Sequence, residues 1–234
     1  MKSKSRFLFP AFAVIATLCA FAAIFAPMRA FALTEMNSAE RATLLAQLRD
    51  LHEKQPSLQS DFVEQKTTHL LNKPITSEGT VSFQAPDKFR REVRGSNPSV
   101  TVSNGKTMWI YYPNFKEVEV YPLGQRAFFD DSLAALNAGL NFQRIEEFYN
   151  LRAFREANSY RLELTPKRPN LKRVVEQLIL TLDEEFRPIK TELTLPKGDR
   201  IVTTYKNPRR APIPASVFDF TPPTDAHVSR PLGR

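Results

Sequence analysis

Hydrophobic residues alternate with polar ones over most of this chain, and helical spacing is confined to two stretches. The first stretch covers residues 37–55, where Asn37 is placed as an N-cap with Glu40 three residues further on. Pro56 predicts the end of this helix. Its apolar stripe consists of Leu44, Leu45, Leu48 and Leu51. The pattern therefore predicts one amphipathic helix ahead of the strands.

Alternation with a period of two predicts two groups of strands. The first group comprises residues 58–68, 80–83, 89–94, 100–102, 108–112 and 118–120, and the second comprises 160–165, 174–182, 188–195 and 200–206. Asn104-Gly105 carries the signal of a type I′ turn, and Lys197-Gly198-Asp199 predicts the turn between the last two strands. Residues 217–220 offer one late strand.

The second stretch of helical spacing covers residues 128–151, with an interruption near 139–142. Its apolar positions are Leu133, Leu136, Leu140, Ile145 and Phe148. Two helices are little cover for about ten strands that are apolar on one face and polar on the other. The pattern predicts a single α+β domain, in which a curved antiparallel sheet, wetted on its outer face, encloses an apolar space under a thin lid of helices.

Residues 1–32 carry the features of an export signal. Three basic residues precede an uncharged run from 7 to 26, and Ala30-Phe31-Ala32 fits a signal-peptidase site. The run is also long enough to span a membrane, so an uncleaved anchor is the alternative. An early proline and many alanines favour cleavage after Ala32, which predicts residues 33–234 as the exported domain.

Removing this leader changes the charge of the chain and its cysteine content. The formal net charge of +8 falls to +4, because the leader holds four basic residues and no acidic one. The single cysteine also lies in the leader, so the exported domain has no disulfide framework and no cysteine metal site. At this charge, basic pairs such as Arg90-Arg91 favour an anionic membrane surface or an acidic protein over nucleic acid. We expect no nucleic-acid partner.

The sequence lacks the common motifs of catalytic and cofactor sites. It contains no GxxxxGK(S/T), GxGxxG, GxSxG or HExxH pattern. His52, His69 and His227 are isolated and lack metal-ligand spacing, so we expect exposed or structural roles for them. Adjacent acidic residues fit a helix start, turns or solvated faces. We therefore expect no enzyme, no cofactor and no metal, with a dispersed catalytic site as the alternative.

Six short motifs carry a resemblance to a known family. They are FVEQ at 62–65, GTVSF at 79–83, PDKFR at 86–90, VSNGKTMWIY at 102–111, LELTPK at 162–167 and FDFTPP at 218–223. In this order and spacing they resemble the LolA-type periplasmic carriers of outer-membrane lipoproteins. No single motif is specific, but together they cover nearly all of the chain after the leader.

This resemblance implies an incomplete antiparallel β-barrel with a lid of helices over an apolar cavity. It also implies a periplasmic monomer that accepts the acyl chains of lipoproteins from an inner-membrane ABC lipoprotein-releasing complex. The cargo would pass to an outer-membrane lipoprotein receptor. The family often has Arg before the proline of the PDKFR motif, at a position taken to link sheet and lid. Here Ala85 stands in that place, so this chain departs from the usual latch and a different lipid cargo stays open.

The candidate cavity residues are apolar positions of the strands and the central helix. They are Phe62, Phe83, Phe89, Met108, Ile110, Leu133, Leu136, Leu140, Ile145 and Phe148, with Phe89 expected at the cavity rim. A periplasmic sensor of lipid or lipoprotein, with the same fold, is an alternative function that a long insertion would favour. A lipid hydrolase or transferase is disfavoured by the missing nucleophile motifs. A structural protein would need an uncleaved anchor.

Overall fold

One long helix and a thirteen-stranded sheet account for most of the described part of the chain. The computed structural model describes residues 33–123, 142 and 145–231, which all fall within one unit from Phe31 to Arg234. The helices are α1 (Ser38–Lys54), α2 (Ile145–Phe148) and α3 (Pro169–Lys172), with short 3-10 turns at Pro113–Phe115 and Ala215–Phe218. Within these residues, no helix combines the length and the apolar character that crossing a membrane requires.

The strands form one sheet with two separate edges. They are β1 (Thr34–Glu35), β2 (Ser57–Thr67), β3 (Ile75–Gln84), β4 (Lys88–Arg94), β5 (Ser99–Asn104), β6 (Thr107–Tyr112), β7 (Glu117–Pro122), β8 (Tyr149–Glu156), β9 (Ser159–Pro166), β10 (Gln177–Asp183), β11 (Pro188–Thr194), β12 (Arg200–Arg209) and β13 (His227–Ser229). Their order in the sheet is β1-β8-β9-β10-β11-β12-β2-β3-β4-β5-β6-β7-β13. Among these strands only β7 and β13 pair in parallel. The predicted curved antiparallel sheet with few helices is confirmed.

The predicted amphipathic helix is confirmed as α1, together with its cap. The Asn37 side-chain oxygen accepts hydrogen bonds from the backbone amides of Ala39 and Glu40, at 2.9 and 3.0 Å. The Asn37 amide in turn donates to the Glu40 carboxylate at 2.8 Å, which completes a capping box. Because four helix-start amides have no partner within a helix, this reciprocal pair fixes where α1 begins.

The main core lies between α1 and the β8–β10 part of the sheet. Leu44, Leu45 and Leu48 of α1 are almost fully buried. They belong to one cluster with the strand residues Ala153, Leu162, Leu164, Leu178, Leu180 and Leu182. Cross-strand pairing places these strand residues on one face of the sheet, which we call the helix-side face. We call the opposite face the outer face.

The outer face is not wetted throughout, contrary to the expectation from the sequence. Val102 and Val118 face outwards on β5 and β7 and are fully buried. The C-terminal segment covers this region with Phe218, which is 1% exposed, and with Phe220, whose ring centroid lies 6.2 Å from that of Trp109. The outward-facing valines of these strands are therefore buried because the C-terminal segment packs on them.

Several local predictions were wrong. Residues 149–151 belong to strand β8 rather than to a helix, because their backbone pairs with β9. Residues 215–218 form a 3-10 turn rather than a late strand. In the turn after β5 only Gly105 has a positive φ, of 87°, so the turn is not type I′. Strand β10 begins at Gln177, after the short helix α3 that the alternation did not reveal, and the short edge strands β1 and β13 were not predicted.

Candidate functional site

A row of mostly apolar side chains crosses the helix-side face from β2 to β7. Each member is the direct cross-strand partner of the next: Leu58, Phe83, Phe89, Ser103, Met108 and Tyr121. We call this set the apolar row. Its first two members are almost completely buried, whereas Phe89 is only half-buried. Ser103, Met108 and Tyr121 are buried as well, so Phe89 is the one member of the row with a partly accessible side chain.

Further apolar and polar groups extend the row towards β7. Ile110, also half-buried, and Phe89 pack against Met108 and Tyr121. The Tyr121 hydroxyl donates a 2.8 Å hydrogen bond to the Glu119 carboxylate. Burial, reinforced by this neighbouring carboxylate, raises the pKa of Tyr121 well above its usual range, so the ring stays neutral at all physiological pH.

Phe62 lies on the same face but under a charged cover. Its cross-strand partners are Gly79 and Tyr205, and its ring is 2% exposed. The Arg91 guanidinium lies 4.5 Å from the Phe62 ring centroid and forms a 2.9 Å salt bridge with Glu64. This combination places an ion pair in the middle of a largely apolar face.

The helical members of the predicted cavity divide into two groups. Ile145 and Phe148 are buried in the main core beneath α1, together with Phe142, rather than beside the apolar row. Arg49 of α1 secures this region, because its guanidinium donates to the Phe142 carbonyl at 3.2 Å and to Glu146 at 2.9 Å. The predicted residues Leu133, Leu136 and Leu140 lie outside the described residues.

His52 connects the main core with the apolar row. It is 5% exposed, and its ring centroid lies 5.1 Å from that of Phe142 and 6.2 Å from that of Phe83. The last turn of α1 therefore reaches the buried end of the row. The sequence allowed a structural role for His52 but contained no signal for these ring contacts, since the partners lie 31 and 90 positions away.

Ala85 lies just before the strand that carries Phe89. Its amide donates a 2.8 Å hydrogen bond to the Pro56 carbonyl, which joins the end of β3 to the chain leaving α1. The methyl side chain has no polar group that could reach a lid. Arg90, the last residue of the PDKFR motif, faces outwards and donates to the Val217 carbonyl at 3.3 Å, so it binds the C-terminal segment instead.

A separate pocket of about 790 Å³ lies near the β1 edge of the sheet. Its walls come from the first half of α1, including Leu44, and from the β8–β9 hairpin, including Arg155 and Tyr160. The Arg155 guanidinium carbon lies 5.3 Å from the Tyr160 ring centroid. The sequence analysis did not predict this pocket, because it depends on how the hairpin meets the helix. It does not include any member of the apolar row.

The titratable groups do not form an evident reaction centre in the described part of the chain. No group of three or more histidine, cysteine, aspartate or glutamate side chains there could hold a metal ion. Near the middle of the helix-side face, the charged side chains of Arg91 and Glu64 are instead paired with each other. The central part of this face can therefore bind a ligand through apolar contacts, which neutral or paired polar groups interrupt.

An open, curved antiparallel sheet with an apolar face under a helix defines a class of lipid-binding proteins, and the comparisons place this chain within it. Residues 53–221 match the family described as outer membrane lipoprotein carrier protein LolA. Because the match spans more than half of the chain, the protein belongs to this family. The resemblance drawn from the six motifs is confirmed.

Individual relatives agree with this assignment. The outer-membrane lipoprotein carrier protein of Dechloromonas aromatica is 29% identical over 185 residues, which cover 78% of this chain and 85% of the relative. That of Alkalilimnicola ehrlichii is 30% identical over 196 residues, covering 81% and 85%. A solved structure of an uncharacterized conserved protein from Thermus thermophilus has a TM-score of 0.52 at 13% identity, covering 81% of this chain and 99% of that chain. At that identity the structure supports the fold alone.

Proposed function

We propose that this protein is a periplasmic carrier that shields the acyl chains of lipoproteins between the inner and the outer membrane. Family membership and the carrier names of its relatives support this function. The structural observation that carries it is a pair of half-buried apolar side chains, Phe89 of the apolar row and Ile110 beside it, on the face that also carries α1. Acyl chains would contact these two side chains over the buried members of the row.

The energy of acyl chains in water explains why such a face is needed. Burying one methylene is worth roughly 0.8 kcal/mol, so a chain of about sixteen carbons gains on the order of 12 kcal/mol when it leaves water. A lipoprotein therefore cannot cross an aqueous compartment with its acyl chains exposed. The carrier acts by covering them, and this task needs no bond to be made or broken.

A carrier must also release its cargo, and the polar groups on the helix-side face serve this requirement. The ion pair of Arg91 with Glu64, in which both side chains are partly exposed, interrupts the face beside Phe62. The two charges are already paired with each other at 2.9 Å. They add little affinity for an alkyl chain, so binding there is weaker per unit area than on a continuous apolar surface.

The remaining parts of the proposal concern export and partners. Residues 1–32 would be a signal peptide removed after Ala32, leaving residues 33–234 as the carrier. N-terminal sequencing of the exported protein should then begin at Leu33, and a chain that keeps residues 7–26 would contradict cleavage. An inner-membrane ABC complex would load the carrier and an outer-membrane receptor would unload it. Site-specific crosslinking in cells should capture both as separate products.

The acyl-binding test uses a fluorescent triacylated lipopeptide and the exported protein. Phe89→Glu places a charge on the accessible part of the apolar row, so we expect binding at least tenfold weaker with cooperative melting retained. Ile110→Glu should act in the same way. The matched control is Phe115→Glu, which makes the same change at a side chain that is 75% exposed in the β6–β7 turn. Unchanged affinity in both variants would exclude this part of the helix-side face as the lipid site.

A further inference from the structure

Four large apolar side chains are exposed in two connections of the sheet. Leu70 is 78% exposed, Leu71 49% and Ile75 50%, all within or at the end of the β2–β3 connection. Phe115 is 75% exposed in the turn between β6 and β7. Clustered exposure of this kind is costly in water and indicates a contact surface.

Both connections emerge at the same end of the sheet. Strands β2 and β6 are separated by four antiparallel pairings, so they run in the same direction and end on the same side. The intervening β4–β5 connection lies at this end too, and the Asn114 side chain donates a 2.7 Å hydrogen bond to the Ser96 carbonyl there. The nearer strands of the two connections, β3 and β6, are three spacings of about 4.8 Å apart, roughly 14 Å sideways. The β2–β3 connection also extends further along the strand direction, because Tyr111 is in register with Asp61 whereas β2 continues to Thr67.

The exposed leucines are presented by an ordered connection. The Leu70 amide donates to the Thr68 hydroxyl and the Leu71 amide to the Thr68 carbonyl, both at 3.2 Å. The His69 amide donates to the Asp199 carboxylate at 3.2 Å, and the His69 ring contacts the same oxygen at 2.9 Å. Two connections therefore brace each other while both leucine side chains point into solvent.

The same end of the sheet is basic. Lys66, Lys73 and Lys197 are exposed, and none of them forms a salt bridge with another described residue. The nearby acid Asp199 is engaged by His69, and Glu192 is engaged by Lys190 and Arg200. Three lysines without a salt-bridge partner among the described residues thus lie in or beside the connections at this end, against one such exposed acid on β3, Glu78.

We propose that this end of the sheet docks on an anionic lipid bilayer, with Leu70 and Leu71 inserted among the headgroups. Apolar side chains flanked by lysines bind such surfaces through combined burial and electrostatic attraction. Leu70, Leu71 and the lysines share the far end of the β2–β3 and β11–β12 connections, where a bilayer offers apolar burial and negative charge together. This surface is separate from the apolar row, so it adds a membrane contact to the proposed carrier.

Vesicle sedimentation of the exported protein tests the proposal. The probes are vesicles of phosphatidylcholine alone and of equal parts phosphatidylcholine and phosphatidylglycerol. We expect the protein to sediment with the mixed vesicles and to be released by high salt. Replacing both leucines, Leu70→Ser with Leu71→Ser, should weaken binding about tenfold. Lys73→Gln with Lys197→Gln should weaken it at least fivefold.

Matched controls come from the opposite end of the sheet. Leu33→Ser changes an exposed leucine before β1, and Lys106→Gln changes an exposed lysine after β5, so neither should alter sedimentation. The leucine and lysine double variants should keep the melting temperature and the lipopeptide affinity of the original chain. This result would show that the membrane surface is separate from the cargo site. Equal sedimentation of all variants, or equal binding to both vesicle types, would overturn the proposal. Absence of vesicle binding would also overturn it, in favour of a protein partner.

Discussion

The Arg91 guanidinium covers the ring of Phe62, with 4.5 Å between its central carbon and the ring centroid. The two residues come from β4 and β2, so the contact passes over β3, where Gly79 is the cross-strand partner of Phe62. Glu64 holds the guanidinium in place through a 2.9 Å contact and itself accepts a 3.2 Å hydrogen bond from the Thr203 hydroxyl. An apolar face thus tolerates a charge because the charge is paired and stacked.

Arg91→Ala should destabilise the fold by about 1–2 kcal/mol. The change removes a cation–π contact worth roughly 0.5–2 kcal/mol and leaves Glu64 without its cation. Arg91→Lys should cost less, since the charge is kept but the planar stacking is lost. Denaturant unfolding measures both. A double-mutant cycle with Glu64→Gln should give a coupling free energy of about 0.5–1 kcal/mol, because both side chains are partly screened by water. A coupling of zero would show that the ion pair contributes nothing to stability.

Gly79→Ala should be among the most damaging small substitutions in the sheet. A Cβ at this position would collide with the Glu92 backbone oxygen and lie 2.8 Å from Cζ of Phe62. Because a backbone atom cannot move aside as a side chain can, we expect a loss of about 3 kcal/mol or more.

Gly198→Ala provides the comparison for this prediction. Gly198 has a φ of 82° with open space around it, so alanine there meets only backbone strain, of about 1 kcal/mol. Thermal and denaturant unfolding should therefore show that the Gly79→Ala variant is much less stable than the Gly198→Ala variant. Equal losses of stability in the two variants would mean that the space above Gly79 is not needed to accommodate Phe62.

The parts of the fold that the sequence predicted are those with a local cause. The cap at Asn37 is decided by residues within one turn, and the apolar row follows from alternation that keeps Phe83, Phe89 and Met108 on one face. Tyr149 was assigned to the central helix because the apolar residues before it keep a helical spacing. Only its pairing with Pro166 of β9 makes it a strand residue.

The candidate site shows the same limit. Spacing identifies which residues are apolar but not which surface they meet: the predicted cavity residues Ile145 and Phe148 lie in the main core beneath α1. The cover of Phe220 on Trp109 joins positions more than one hundred residues apart, and no local pattern signals it. Long-range partners therefore decide where such side chains pack.

The brace between His69 and Asp199 should weaken only in acid. The hydrogen bond from the His69 side chain, opposed by a smaller desolvation effect, holds the pKa of Asp199 below its ordinary value of 3.8. A lowered pKa stabilises the folded loops above the unfolded-state pKa, and this contribution disappears as the pH falls through the folded value. The protection factor of the His69 amide against hydrogen exchange, which corrects for the intrinsic pH dependence of exchange, should be high at neutral pH and fall below about pH 3.8.

Asp199→Ala should make the same amide exchange fast at every pH. The control is Asp50→Ala, since Asp50 pairs with Lys54 on α1 and lies away from these connections. Exchange in that variant should match the original chain. If the His69 amide of the original chain shows no acid-dependent change, the carboxylate does not brace the connection.

Truncation of Leu48 should reveal how strongly α1 is held on the sheet. Leu48 is 0% exposed within the main core, so Leu48→Ala leaves a cavity and should cost about 2–5 kcal/mol. Leu71→Ala removes the same atoms from a side chain that is 49% exposed and should change stability by less than about 0.5 kcal/mol. Chemical denaturation compares the two. Because α1 brings His52 into contact with Phe83, Leu48→Ala should also reduce lipopeptide affinity, whereas Leu71→Ala should not. A stable Leu48→Ala variant with full affinity would mean that α1 does not organise the apolar row.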